Sequence, residues 1–174
     1  MKPFKIVLTG AESSGKTTLS RQLSLQLEAP LVSEYARLFF EKRNSITYVY
    51  EDLLKIAQGQ IRLENKIFKK NVHSKLFILD TDLITIKIWS MVKFGCCDAW
   101  ILNQIEQRTY DFYGLCSPEG IAWEADPLRE NPMDRQYLFE LYEKELLFYQ
   151  KKYIILTGNE AARQNALLQN FNLD

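Results

Sequence analysis

The sequence predicts an α/β fold in which a parallel β-sheet carries helices on both of its faces. Short apolar runs alternate along the chain with longer segments whose apolar residues recur at helical spacing. A glycine-rich loop joins the first apolar run to the first helical segment, and a later apolar run ends in an aspartate. The chain has 174 residues, enough for one domain with a sizeable core, and we expect a single domain over residues 1–174.

Five apolar runs predict the strands, and helical periodicity predicts the segments between them. The strands are expected at residues 4–9, 31–33, 76–80, 110–116 and 153–156. The helices are expected at residues 18–27, 34–43, 50–70, 83–94, 98–108, 135–151 and 159–169. Pro30 and Gly95 close the first and fourth helical segments, because proline cannot continue a helix and glycine favours its end. Residues 117–134 contain three prolines and no periodicity, which predicts a functional connection such as a lid.

The composition argues against several classes of function. Lys and Arg together number 22, as do Asp and Glu, so the net charge is zero and nothing indicates a nucleic-acid partner. Three cysteines, two of them adjacent, fit reduced thiols of the cytosol better than a disulfide framework. No apolar run reaches membrane-spanning length, and the first strand follows Met1 too closely for a signal peptide. We therefore expect a cytoplasmic protein with a small-molecule partner, and its oligomeric state is unknown from the sequence.

The glycine-rich loop fits the pattern G-x-x-x-x-G-K-[ST] of phosphate-binding loops (P-loops) at every fixed position. Glycines let the backbone turn tightly and approach an anion, and the following helix directs its N–H groups at the phosphates. Lys16 is expected to reach the β- and γ-phosphates of ATP, and the Thr17 hydroxyl to bind Mg²⁺. The alternative is a serine-rich turn that only caps a helix. The predicted nucleotide-binding residues are Gly10, Glu12, Ser13, Ser14, Gly15, Lys16, Thr17 and Thr18.

Carboxylates at the ends of two strands suggest the rest of the site, because ligands of parallel sheets bind at the carboxyl ends of strands. Asp80 follows four apolar residues, as the Walker B aspartate of NTPases does, and is expected to hold Mg²⁺ opposite Thr17. Two roles of equal weight are open for Asp82: it is a helix N-cap, or it is a second carboxylate that contacts substrate. Glu34 is either the general base for an attacking hydroxyl or a surface residue that starts a helix. Arg37 and Tyr35 lie beside Glu34 and are candidate substrate contacts.

The lid segment, residues 117–134, and the residue that follows it supply the remaining candidates. Arg129 and Arg135 are expected to stabilise charge on the transferring phosphoryl group, although surface ion pairs would also explain them. Trp123 either stacks on a flat ring of the substrate or packs the lid onto the domain. The polar residues Gln58, Gln60 and Arg62 of the long third helix are expected to face solvent.

Several of these motifs, taken together, resemble the ribosylnicotinamide kinase domain of NadR-type proteins, which belongs to the nucleoside-kinase-like P-loop proteins of the AAA/NadR-like ATPases. The resemblance runs from Phe4 to about Asn170. It implies a sheet of strand order 2-3-1-4-5 and ATP-dependent phosphorylation of the 5′-hydroxyl of nicotinamide riboside to nicotinamide mononucleotide. The adenylyltransferase and DNA-binding segments of longer members are missing, so neither activity is expected. The motifs are Glu12-Ser13-Ser14, Glu34-Tyr35-Ala36-Arg37, Asp80-Thr81-Asp82, and Tyr110-Asp111 with Trp123 and Asp126-Pro127-Leu128-Arg129-Glu130.

The sequence therefore predicts a small-molecule kinase that uses ATP and Mg²⁺, with catalytic candidates Lys16, Glu34, Asp82, Arg129 and Arg135. Two alternatives share the same loop. One is a regulatory protein that hydrolyses ATP or GTP slowly, which the absence of an Asn-Lys-x-Asp guanine motif weakly opposes. The other is a different nucleoside kinase or a nucleoside monophosphate kinase.

Overall fold

A computed structural model describes residues 2–43, 45–124 and 134–170. Five parallel strands form one sheet in the order β2-β3-β1-β4-β5, which confirms the predicted topology. The strands are β1 Phe4–Thr9, β2 Leu31–Val32, β3 Leu76–Asp80, β4 Phe112–Cys116 and β5 Tyr153–Leu156. The helices are α1 Lys16–Gln26, α2 Tyr35–Arg43, α3 Tyr50–Lys70, α4 Leu83–Phe94, α5 Ala99–Gln107, α6 Arg135–Phe148 and α7 Glu160–Gln169. Among these described helices, none has the length and apolar character needed to cross a bilayer.

The sheet separates two apolar cores because successive side chains of a strand point to opposite faces. On one face, Val7, Leu79 and Leu115 pack with residues of α2 to α6. On the other face, Ile6, Leu8 and Ile78 pack with Leu19 and Leu23 of α1 and Leu167 of α7. The central strand β1 pairs with β3 and β4, so the loop after β1 opens between the ends of those two strands.

Several element boundaries differ from those predicted by one to three residues, and two of these differences have a clear structural reason. The fourth strand begins at Phe112 instead of residue 110, and the Asp111 carboxylate accepts the Lys5 N–H at 2.9 Å at the start of the pairing with β1. Helix α6 ends at Phe148 instead of residue 151 because Gln150 adopts a left-handed conformation with φ 52°. The Lys151 and Gln150 N–H groups then bond the carbonyls of Leu146 and Leu147, which is the Schellman arrangement that usually requires glycine.

A buried carboxylate, Asp52, holds the connection between α2 and α3 in place. Its oxygens accept hydrogen bonds from Arg43 at 2.6 Å, Lys55 at 2.9 Å and the Val49 N–H at 3.2 Å. Burial alone would raise its pKa, but the bonds from Lys55, Arg43 and Val49 outweigh burial and hold the pKa of Asp52 at about 2. The ionised carboxylate therefore stabilises the fold.

Replacing Asp52 with asparagine is expected to lower the free energy of unfolding at pH 7 by about 2 kcal/mol, because the depressed pKa is a measure of that stabilisation. The contribution is complete above the ordinary pKa of 3.8 and is lost as the pH falls toward 2. Urea denaturation at pH 7 and pH 3 checks this, and the difference between the wild type and the variant should shrink at pH 3. The neighbouring exposed Glu51→Gln is the matched control and should leave stability unchanged. A pH-independent difference would contradict the assignment.

Candidate active site

The P-loop takes the strained path that its glycines allow. Gly10 has φ 135°, and a Cβ there would lie 2.6 Å from the Cys116 carbonyl oxygen at the end of β4. Gly15 has φ 82° and immediately precedes α1. Ser13, although not a glycine, is also left-handed, with φ 48°. Such backbone is maintained only where the surroundings enforce it, and here it turns the loop around the N-terminus of α1.

Lys16 folds back over the loop that precedes it. Its ammonium group donates to the carbonyls of Gly10 at 2.8 Å and Ala11 at 2.7 Å. The buried Ser14 hydroxyl oxygen has no hydrogen-bond partner among the described residues. A buried polar atom without a partner is costly, and a phosphate oxygen in the loop would provide one. The loop therefore fits a nucleotide phosphate in its shape, its N–H groups and its unsatisfied hydroxyl.

The structure brings Thr17 and Asp80 together, as the metal prediction requires. Asp80 ends β3, is buried, and lies beside the Thr17 hydroxyl. Burial raises the pKa of Asp80, while the Thr17 hydroxyl and the positive charge of Lys16 act in the opposite direction. One carboxylate and one hydroxyl suit Mg²⁺, which keeps several waters and binds phosphate oxygens as well. The described residues contain no group of three His, Cys, Asp or Glu side chains placed to hold a metal, so a nucleotide would supply further ligands.

The turn after Asp80 fixes the position of Asp82. Thr81 has φ 90°, a conformation that a β-branched residue rarely adopts, and its hydroxyl donates to Thr85 at 2.5 Å. Asp82 is the N-cap of α4: it accepts the Ile84 N–H at 3.1 Å and the Tyr113 hydroxyl at 2.8 Å. Its complete burial raises the pKa of Asp82 to about 6. The capping interpretation of Asp82 describes this geometry, and its contact with substrate stays a prediction.

A cleft of about 270 Å³ extends from the P-loop between the helical layers. At one end it is lined by all eight predicted nucleotide-binding residues together with Glu160 and Arg163. Its other end is lined by Glu34 and Arg37, and by residues that the sequence did not single out, among them Thr85, Trp89, Leu138 and Tyr142. The walls formed by the described residues do not include Tyr35, Asp80, Asp82, Trp123 or Arg135.

Glu34 and Arg37 approach each other at the cleft wall, with Arg37 Nε 3.7 Å from a Glu34 carboxylate oxygen. The turn that carries them is held by Gln60 of α3, which accepts the Tyr35 N–H at 2.7 Å and donates to the Ser33 carbonyl at 3.3 Å. The prediction that Gln60 faces solvent is wrong: it is buried because it satisfies the backbone of this turn. The Tyr35 ring lies against Gly59 of the same helix.

Residues on both sides of the undescribed part of the lid form hydrogen bonds with Ser13 of the P-loop. The Ser13 hydroxyl pairs with the backbone of Glu124, accepting its N–H at 3.3 Å and donating to its carbonyl at 3.4 Å. The Arg135 guanidinium donates to the carbonyls of Ser13 at 3.2 Å and Ile121 at 2.9 Å, and lies 5.9 Å from the centroid of the Trp123 ring. Arg129, predicted to act on the phosphoryl group, lies outside the described residues, as does the half of the lid at residues 125–133. The catalytic roles of both arginines stay predictions.

Arg163 of α7 is a site residue that sequence reasoning missed. It is 2% exposed, and its guanidinium donates to three backbone carbonyls: Ser14 at 2.7 Å, Ser117 at 2.8 Å and Gly158 at 2.8 Å. The only signal in the sequence is that Arg163 stands four residues before Leu167, on the buried face of the last helix. An arginine on an apolar helix face indicates a buried polar contact.

Comparison with known proteins supports this description of the fold. A family model described as an AAA domain matches residues 5–163. No curated protein sequence matches the chain. The structure is similar to the NadR protein in complex with NR, with a TM-score of 0.79 and 22% sequence identity over 90% of this chain and 44% of that one. It is also similar to the NadR protein in complex with NAD and AMP-PNP, with a TM-score of 0.76 and 18% identity over 99% of this chain and 51% of that one.

The chain thus spans about half the length of the NadR structures that it resembles. Two other kinases match along nearly their whole length. The deoxyadenosine kinase of M. mycoides with bound dATP has a TM-score of 0.64 at 15% identity over 96% of this chain and 98% of that one. The thymidylate kinase of Ehrlichia chaffeensis has a TM-score of 0.70 at 14% identity over 98% of this chain and 99% of that one. The predicted resemblance to NadR-type proteins is confirmed as a likeness of fold, and the chain belongs to the AAA domain family of P-loop proteins.

Proposed function

We propose that this protein is an ATP-dependent kinase that phosphorylates the 5′-hydroxyl of nicotinamide riboside. The observation that carries the proposal is a single cleft with a P-loop at one end and a carboxylate, an arginine and aromatic side chains at the other. A hydrolase that only binds and cleaves a nucleotide needs no second, aromatic-lined end to its cleft. The two NadR structures, one with NR and one with an ATP analogue, favour the riboside over other acceptors.

The acceptor end of the cleft suits a molecule with a flat ring and a hydroxyl-bearing sugar. The indole of Trp89 is held in place, because its N–H donates to the Tyr48 hydroxyl at 2.7 Å. Tyr142 lines the same space, next to Thr85. Aromatic faces recognise planar rings, while Glu34 and Arg37 offer a charged acceptor and donor for sugar hydroxyls.

The proposed reaction transfers the γ-phosphoryl group of ATP. The acceptor oxygen forms a bond to phosphorus as the bond to the β,γ-bridging oxygen breaks, ADP leaves, and the acceptor proton passes to a carboxylate. Glu34 is the better-placed base, because it lines the cleft and Asp82 does not. Thr17 and Asp80 would hold Mg²⁺, which supplies charge neutralisation of the phosphates when bound. Lys16 and the loop N–H groups orient the phosphates.

A panel of acceptors tests the proposal. The protein is incubated with ATP, Mg²⁺ and, separately, nicotinamide riboside, other nucleosides and nucleoside monophosphates, and ADP formation is measured. We expect ADP formation to depend on the acceptor and to be fastest with nicotinamide riboside. If turnover is fastest with a monophosphate, the protein is a nucleoside monophosphate kinase. If ATP is hydrolysed slowly and at the same rate with every acceptor, the protein is a regulatory NTPase.

The same assay distinguishes the two carboxylates. Glu34→Gln is expected to reduce the acceptor-dependent rate by about 100-fold or more, the usual contribution of a general base. Asp82→Asn is the matched comparison, because it removes a carboxylate of the same region that caps α4. A larger loss of rate in a stably folded Asp82→Asn than in Glu34→Gln would reverse the assignment of the base.

A further inference from the structure

The buried guanidinium of Arg163 is unusual because its three hydrogen bonds of 2.7–2.8 Å all go to backbone carbonyls. No carboxylate of the described residues forms an ion pair with Arg163, although this side chain is almost completely buried. A buried charge is retained only where hydrogen bonds and an opposite charge offset its loss of hydration. The three carbonyls provide the hydrogen bonds, and no carboxylate of the described residues lies within ion-pair distance to provide the countercharge.

The position of Arg163 indicates what supplies that charge. Arg163 lines the cleft at its P-loop end, and a Cβ on Gly15 would lie 3.7 Å from its Nη1. The nucleotide phosphates expected in this loop would bring concentrated negative charge to the same end of the cleft. Attraction between charges across a few ångströms is strong where water is excluded.

The bond from Arg163 to Ser14 also fixes the orientation of the loop itself. In a planar trans peptide, the carbonyl oxygen and the following N–H point to opposite sides. Because Arg163 holds the Ser14 carbonyl on the α7 side, the N–H of Gly15 is directed to the opposite side of the peptide, away from the guanidinium. A loop N–H directed in this way donates to a phosphate oxygen without reorganisation on binding.

We propose that Arg163 is a positioning residue for the polyphosphate of the nucleotide. It fixes the Ser14–Gly15 peptide so that Gly15 N–H meets the phosphates, and it contributes a buried positive charge behind the loop. Its bonds to Ser117 and Gly158 hold the ends of β4 and β5 against the same loop. This inference rests on the nucleotide-binding part of the proposed function and is independent of the acceptor.

Calorimetric titration with three probes tests the inference: Mg²⁺-ADP, AMP and inorganic pyrophosphate, the last of which carries no base. Arg163→Met is expected to weaken the binding of ADP and pyrophosphate by about 10-fold or more, and to change the binding of AMP by less than about twofold. Arg163→Lys keeps the charge but not the planar fork of donors, so it should still weaken the binding of ADP by about fivefold. This second variant also serves if Arg163→Met fails to fold.

The matched control is a second arginine with a buried partner on the other face of the sheet. Arg108 donates to the fully buried Glu64 at 2.6 Å. Arg108→Lys is expected to lower the melting temperature while leaving the affinity for ADP unchanged. Unchanged binding of ADP in the Arg163 variants, equal weakening of ADP and AMP, or full affinity in Arg163→Lys would each overturn the positioning role.

The assay contains no acceptor, so its result is separate from that of the acceptor panel. Selective loss of ADP and pyrophosphate binding in a protein that phosphorylates no acceptor would sustain the role of Arg163 and remove the kinase proposal. Acceptor-dependent turnover with an unchanged KM for ATP in the Arg163 variants would support the kinase proposal and overturn the role of Arg163.

Discussion

Replacing Lys16 with alanine is expected to reduce acceptor-dependent phosphoryl transfer by at least about 100-fold, the usual loss when one preorganised donor is removed from a developing charge. The Lys16 ammonium already lies against the loop, bonded to the carbonyls of Gly10 and Ala11. Phosphate oxygens that enter the loop would replace those carbonyls as its partners. Because the side chain is at the start of α1 and outside both apolar cores, the fold should be retained.

The measurement is steady-state turnover with saturating ATP and acceptor, together with the melting temperature. Lys66→Ala is the control, since Lys66 is an exposed lysine of α3 remote from the P-loop in the sequence. A Lys16→Ala protein that keeps its melting temperature and its turnover would show that this loop does not carry the reaction.

Replacing Asp80 with asparagine is expected to reduce turnover by a similar factor, and in addition to change the dependence of the rate on Mg²⁺. The substitution keeps the size of the side chain and its contact with Thr17 but removes the negative charge that would bind Mg²⁺. We expect the Mg²⁺ concentration for half-maximal rate to rise about 10-fold or more, together with a fall in turnover of about 100-fold.

Rates measured over a series of Mg²⁺ concentrations check this prediction, with Lys16→Ala as the comparison. Lys16 contacts no metal in the proposed site, so its variant should lose turnover without a large shift in the Mg²⁺ dependence. Because burial is the main influence on the pKa of Asp80, removing its charge should not destabilise the fold. An unchanged Mg²⁺ dependence in Asp80→Asn would remove Asp80 from the metal site.

Local patterns predicted the parts of the fold and site that depend on nearby residues. The P-loop, the strand before it and the helix after it follow from one continuous segment, and so does the apolar run that ends in Asp80. The meeting of Thr17 and Asp80 also followed, because parallel strands bring their carboxyl ends to one edge. The order of the strands came from the family resemblance and is confirmed.

Residues whose roles depend on distant backbone were not predicted. In the sequence of α3, Gln60 occupies a polar position of the kind that usually faces solvent. Its hydrogen-bond partners are the backbone groups of Ser33 and Tyr35, which are remote in the sequence. Arg163 likewise bonds carbonyls of three separate loops, and no spacing rule connects them. Side-chain bonds to backbone that is remote in the sequence leave no pattern in a single sequence, because every residue type offers the same carbonyl.

The helices on the two faces of the sheet line different ends of the cleft. Its phosphate end is built from α1 and α7, which share one apolar core. Its acceptor end is built from α2, α4 and α6, which belong to the other core. Substitutions that reshape one end therefore repack a different core from the one that supports the other end. In the proposed kinase, selection for a new acceptor can act on one layer of helices while the layer that supports the P-loop is unchanged, so the architecture favours divergence of substrate within a common chemistry.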